Sequence, residues 1–257
     1  MTCKGLRWRA WMALWFGAAA AGCAGASAAG VEVALEGQVA WQQRNDVQSP
    51  NDASGSRFAL DAITGDGPAL APRLSLRWPL RGGESRHELA ALIAPLRIDG
   101  SGRTATALGF EGASFAPGPI RADYRFDSWR VGWRWRWIER PDLVVRVGAT
   151  AKIRDAQISL VQGALRARKT NTGFVPLLHV SAERPAVSGW SWAVEFDGLA
   201  GGPGYAVDAA ALLRYDLSER WRVQGGLRFL DGGADNDEVY AFARFTGVTL
   251  GVAHRFR

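Results

Sequence analysis

Residues 129–137 read Trp-Arg-Val-Gly-Trp-Arg-Trp-Arg-Trp, and the spacing of their side chains decides the fold class. Trp129, Val131, Trp133, Trp135 and Trp137 fall on one face, with Arg130, Gly132, Arg134 and Arg136 on the other. A helix would scatter five such apolar residues around its circumference, whereas the two-residue repeat of a strand collects them on one side. The same alternation recurs in 31–41, 143–153, 190–196, 205–215, 221–229 and 248–256, which predicts an all-β chain.

The segments between these runs alternate in length. Arg81-Gly82-Gly83-Glu84-Ser85, Glu139-Arg140-Pro141-Asp142, Pro185 to Gly189 and Leu217-Ser218-Glu219-Arg220 carry tight-turn chemistry. Between them lie stretches richer in Gly, Asn, Asp and Pro, at 44–56, 98–120, 162–173, 201–204 and 231–238. Short and long connections taking turns is the pattern of periplasmic turns and extracellular loops in an up-and-down antiparallel transmembrane β-barrel. Counted this way, about ten strands are expected, near 31–43, 70–79, 86–97, 121–138, 143–160, 174–184, 190–199, 205–216, 221–230 and 239–256. Segments 57–63 and 104–110 either extend neighbouring strands or add a hairpin, so the count lies between 8 and 12.

Alternation alone would also suit a soluble barrel with its apolar face turned inward. The tryptophans separate the two cases. Trp78 and Trp137 precede the first and second short turns, and Trp190 and Trp221 follow the third and fourth. Four rings at one level form an interfacial belt, where an apolar ring with a polar N–H is at home. The opposite face is then the interior, carrying Arg130, Arg134, Arg136, Arg146, Lys152, Arg154, Arg214, Arg222 and Arg228 with Glu195, Asp197, Asp208 and Asp216.

At the N-terminus, Lys4, Arg7 and Arg9 precede an apolar stretch from Trp11 to Ala21 and a small-residue site at Ala26-Ser27-Ala28. This reads as a cleaved secretory signal over 1–28, leaving 29–257 as one barrel domain of 229 residues (257 less 28). Ala20-Ala21-Gly22-Cys23 is a weak lipoprotein-type alternative. Cys3 and Cys23 both lie in that segment, so the mature chain would hold no disulfide or thiolate metal site. Losing three bases lowers 31 Lys and Arg to 28 against 25 acids, and the formal charge from +6 to +3, which argues against a nucleic-acid partner.

Residues 248–256 alternate and close on Phe256, which resembles the terminal strand by which the barrel-assembly machinery recognises outer-membrane barrels, although Arg257 follows the aromatic here. From about residue 120 the chain also resembles a family of uncharacterised Gram-negative outer-membrane β-barrel proteins. Tyr124-Arg125-Phe126, Phe174-Val175-Pro176-Leu177-Leu178 and Gly232-Gly233-Ala234-Asp235-Asn236 with Glu238-Val239-Tyr240 carry that likeness. It implies a place in the outer membrane, among its lipid and lipopolysaccharide, and implies no activity.

Leu177-Leu178-His179-Val180-Ser181 resembles the Phe-x-His-x-Ser motif of outer-membrane lipid A deacylases, with Leu177 where that family has Phe. If Arg184 pairs with Trp190, His179 falls opposite Glu195, and the candidate catalytic set is His179, Ser181 and Glu195. A hydrogen-bonded interior histidine is the plainer use of the same residues. Asp231, Asp235, Asn236, Asp237 and Glu238 crowd one segment without the spacing of an EF-hand, and His87 and His254 lack sequence neighbours that would ligate a metal. Gly201-Gly202-Pro203-Gly204 leads into no helix and reads as a turn. No cofactor or metal is implied. The expected function is that of a structural or envelope-interaction barrel, with a lipid A acyl-ester hydrolase and a narrow anion-preferring channel as alternatives.

Overall fold

The computed structural model describes residues 30–83 and 85–256, so the expected signal sequence, with Cys3 and Cys23, and Arg257 lie outside the described residues. Ten long strands form one antiparallel sheet: β1 (Val31–Gln48), β3 (Ala69–Pro79), β4 (His87–Thr104), β7 (Gly118–Glu139), β8 (Val144–Gln162), β9 (Leu165–Val187), β10 (Trp190–Gly201), β11 (Gly204–Asp216), β12 (Trp221–Asp235) and β13 (Tyr240–Phe256). Each pairs with the next, and β13 returns to β1 from Val31↔Phe256 to Gln48↔Tyr240. The barrel is closed, which leaves no unpaired edge.

Its apolar face points outward. Trp129, Val131, Trp133 and Trp137 are all more than two-fifths exposed, while Arg130 between them is buried. On β1 the outward set runs from Val33 to Trp41, which at the usual strand rise and tilt spans roughly 20–25 Å, the height of a lipid-facing band. Trp78, Trp137, Trp190 and Trp221 stand about half exposed at the short-turn end. Two histidines join this belt: His87 stacks on Trp133 with ring centroids 5.5 Å apart, and His254 lies between Trp221 at 4.6 Å and Phe256 at 4.4 Å.

The connections differ from expectation at the other end. Residues 162–173 form no loop: β8 and β9 pair from Val144↔Glu183 to Gln162↔Leu165, joined only by Gly163 and Ala164, with Gly163 at φ 60°. In the same way β4 continues to Thr104, β7 begins at Gly118, β1 runs to Gln48 and β12 to Asp235. Above the lipid-facing band both faces of a strand are polar, so alternation vanishes although pairing persists. The two ambiguous segments become separate pieces. A two-residue strand β2 (Phe58–Ala59) leads into a single helical turn α1 (Asp61–Thr64), and β5 (Leu108–Phe110) with β6 (Ala113–Phe115) makes a small hairpin.

These pieces fold inward and close the long-loop end. Val47, Leu60, Phe110, Phe115 and Leu160 are fully buried there, together with Ile63, Ile98 and Phe245. Tyr124 stacks against Phe245 at 6.0 Å, and Phe58 meets Phe110 edge-on at 5.9 Å. Two glycines on β4 make room for α1, since a Cβ on Gly100 would stand 2.4 Å from the Thr64 carbonyl oxygen and one on Gly102 2.8 Å from the Ile63 Cα.

Candidate functional site

Below this apolar layer the barrel interior is ionic. The interior charges expected from alternation face inward, and β1, β3, β4, β9 and β13 add Glu32, Glu36, Arg73, Arg77, Glu88, Glu183 and Arg255. Carboxylates act as shared nodes. Glu36 accepts from Arg228 at 2.6 Å and Gln224 at 2.8 Å, and Asp208 accepts from Arg130 at 2.6 Å. Glu183 joins Arg77, Arg146 and Arg214 at 3.3, 2.9 and 3.2 Å, and Glu32 joins Arg77, Arg222 and Arg255 at 2.9, 3.3 and 3.0 Å. Each node ties strands that are far apart in sequence, so the network cross-links the barrel wall from within.

The candidate catalytic residues lie in this network in a different register from the one expected. The β9–β10 turn is only Ser188 and Gly189, both at positive φ, with Val187 opposite Trp190. An irregularity between Trp190 and Trp192 then sets Arg184 opposite Trp192, so His179 faces Asp197 and Glu195 faces Ser181. The expected His179–Glu195 pair is therefore replaced by His179–Asp197. His179 Nδ1 is 3.1 Å from Asp197 Oδ1, and its Nε2 is 3.1 Å from Ser181 Oγ. With Nδ1–H donated to the carboxylate, Nε2 is left to accept the serine hydroxyl proton, the connectivity of a nucleophile, base and orienting acid. Glu195 instead accepts from Arg214 at 2.8 Å.

The surroundings matter as much as the connectivity. Asp197 also accepts from Thr150 at 2.8 Å and lies 3.7 Å from Arg130. His179 is 1% and Ser181 8% exposed, and both point inward, while their neighbours Leu178 and Val180 point out. A cavity of about 90 Å³ lies in the middle of the interior; Asp197 and Thr150 belong to its wall, and His179 and Ser181 do not. The acidic segment 231–238 is likewise dispersed: Asp231 accepts from Arg244 at 2.8 Å and Tyr205 at 3.1 Å, and Asp235 from Asn51 at 2.8 Å.

Alternation missed Arg73, Arg77, Glu88 and Glu183 because proline and small residues interrupt their strands. Glu32 and Glu36, which alternate with Val33, Leu35 and Val39, were legible in principle.

No protein-family model matches the chain, and no curated protein matches it. The structure is similar to the outer membrane protease OmpT from Escherichia coli, at 8% identity and a TM-score of 0.55 over 88% of this chain and 97% of that one. It also aligns with Ail, the attachment invasion locus protein of Yersinia pestis, at 10% identity and a TM-score of 0.41 over 89% and 99% of the two chains. Neisserial surface protein A aligns at 11% identity and 0.39 over 89% and 98%. The likeness to OmpT is one of fold alone.

Proposed function

We propose that the chain is an integral β-barrel of a Gram-negative outer membrane, with both termini in the periplasm, that acts as a structural or envelope-interaction protein and does not conduct. One observation carries this reading: apart from a central cavity of about 90 Å³, the interior is filled by the apolar layer beneath the long loops and by a largely paired charge network below it. A barrel of about eight strands has an interior that side chains just fill, and in this ten-stranded one they leave cavities of about 90 and 40 Å³. Purified protein in planar bilayers is expected to give no stable, porin-sized conductance. A reproducible open state with anion preference would replace this reading with the channel.

Lipopolysaccharide is the proposed envelope partner. The extended ends of β4, β7 and β9 carry Arg103, Arg121, Arg166 and Arg168 exposed on the outer face, above the apolar band, and among the described residues these four make no ion pair. Guanidinium groups at that height suit the phosphates of a lipid headgroup. The barrel-assembly machinery is the second proposed partner, through the closing strand β13 and its outward Phe256.

A second reading rests on the Ser181–His179–Asp197 connectivity, that of an acyl-ester hydrolase acting on lipid A. The triad faces the interior whereas acyl chains lie outside, which favours the structural role. Lipid A acylation is expected to be the same in cells carrying the wild type, Ser181→Ala or empty vector. An acyl chain lost only with a functional Ser181 would establish the enzyme. In the structural role Ser181→Ala is nearly silent, while His179→Ala leaves Asp197 short of a donor and costs about 1–3 kcal/mol in stability.

A further inference from the structure

The arginines around the central cavity are not all satisfied by the protein. Arg134 makes no hydrogen bond or ion pair among the described residues, and Arg73 only approaches carboxylates, at 3.8 Å from Glu36 and 3.6 Å from Asp208. Arg214 and Arg228 give their Nη atoms to carboxylates. Yet the Nε of all four, Arg73, Arg134, Arg214 and Arg228, is buried without an acceptor, and all four side chains line the same cavity of about 90 Å³. The unpartnered guanidinium of Arg134 and the loosely held one of Arg73 therefore line one space.

The charge balance points the same way. Below the apolar layer, nine bases plus Arg73, Arg77 and Arg255 make twelve, and four acids plus Glu32, Glu36, Glu88 and Glu183 make eight. Counting Glu139 as the rim partner of Arg136 leaves three, and because Lys152 and Arg154 are not among the residues that line the cavity, one positive charge, matching the unpartnered Arg134, stands uncompensated at the cavity. A guanidinium cannot shed its proton to escape burial, and an enclosed unpaired charge costs several kcal/mol, so a counter-ion must come from outside the chain. The cavity of about 90 Å³ is several times the ~10–15 Å³ that admits one water and smaller than the ~150 Å³ that holds benzene, a size that suits a small ion.

We propose that this cavity is a binding site for one small inorganic oxyanion of the sulfate or phosphate class, held by the guanidinium groups of Arg134 and Arg73, with Arg214 and Arg228 beside them in the wall. A planar guanidinium offers paired donors to such an oxyanion, and four from different strands surround it. The four carboxylates in the same wall already accept from other donors, Glu32 from Arg77, Glu36 from Arg228, Glu195 from Arg214 and Asp197 from Thr150, and none holds Arg134. The site makes the anion part of the folded barrel, bridging β3, β7, β11 and β12.

Equilibrium dialysis of the folded, detergent-solubilised full chain against radiolabelled sulfate tests this, with gluconate, too bulky for the cavity, as the only other anion. About one sulfate per barrel is expected, displaced by phosphate, and at equal ionic strength sulfate should raise the thermal unfolding midpoint over gluconate by several degrees. Arg134→Gln should bind at least tenfold more weakly, lose the shift, and fold in gluconate as well as the wild type or better. Arg140→Gln with Arg220→Gln, exposed on two short turns, should bind as wild type. No sulfate retained by the wild type, undiminished binding by Arg134→Gln, or binding lost only in the surface pair would each overturn the proposal. Failure of Arg134→Gln to fold in gluconate would do the same, because Arg134 would then be held by the protein itself.

Discussion

The two ends of the barrel interior solve the same problem in opposite ways. Beneath the long loops, Phe110, Phe115, Leu60 and Phe245 pack as in a soluble protein, with apolar surface removed from water and few polar groups to satisfy. Towards the short turns, Glu36, Asp208, Glu183 and Glu32 are each shared among arginines from distant strands. Burial stabilises the first region outright. The second is stable only as a complete set, since desolvation of its charges is offset by partners that must all be present. The difference teaches that truncation should harm the upper region in proportion to lost volume, and the lower one according to which charge is left behind.

The largest effect is expected in the apolar layer. Phe115 is fully buried against the hairpin and the barrel wall, so Phe115→Ala removes a ring and opens a void, at about 3–5 kcal/mol. Urea titration of the folded fraction by gel mobility in detergent measures it. A loss below about 1 kcal/mol would mean the hairpin is a loose lid and would erase the contrast.

Next is the removal of one node. Glu36 is 3% exposed and serves Arg228, Gln224 and, at longer range, Arg73. Glu36→Gln keeps the shape and strands Arg228, at about 3 kcal/mol. The double variant Glu36→Gln with Arg228→Met should recover to within about 1 kcal/mol of wild type, which no volume argument predicts. If the two losses simply add, the lower interior behaves as independent contacts and the network description fails.

How much of this was legible in sequence follows from the same physics. Where one face meets lipid and the other meets charge, as in 129–137 or 221–229, the two-residue period reads directly, and with it the barrel and most of its interior. The tips of β8 and β9 stand clear of lipid, so Arg166 to Gly173 are polar on both sides and read as a loop. The apolar layer has no period to detect; its signal was the presence of Phe58, Phe110 and Phe115 inside glycine-rich connections. The site was half legible. His179 and Ser181 were placed on one face, but their carboxylate was not, because a two-residue turn and an irregularity at Trp190–Trp192 moved β10 by two positions. Turn geometry fixes register, and one such shift exchanges Glu195 for Asp197.

The smallest expected effect lies where the two regions meet. Lys152 is 3% exposed, makes no hydrogen bond or ion pair among the described residues, and rests its ammonium 4.9 Å from the Phe126 ring. Its neighbourhood is basic, with Arg130 on the facing rung of β7 and Arg154 two residues on. A cation–π contact contributes about 1–2 kcal/mol when desolvated, less than the several kcal/mol needed to bury the charge. Lys152→Met keeps the length of the chain, extends the apolar layer downward and removes an ammonium that no carboxylate holds. Stability within about 1 kcal/mol of wild type, or above it, is therefore expected, in contrast to Glu36→Gln only a few rungs away. The same urea titration reads it, at low and high salt, and the difference should not change with salt because the group is enclosed. A loss of 3 kcal/mol or more would show that Lys152 carries a buried anionic partner, and the boundary between the two regions would then lie one layer higher.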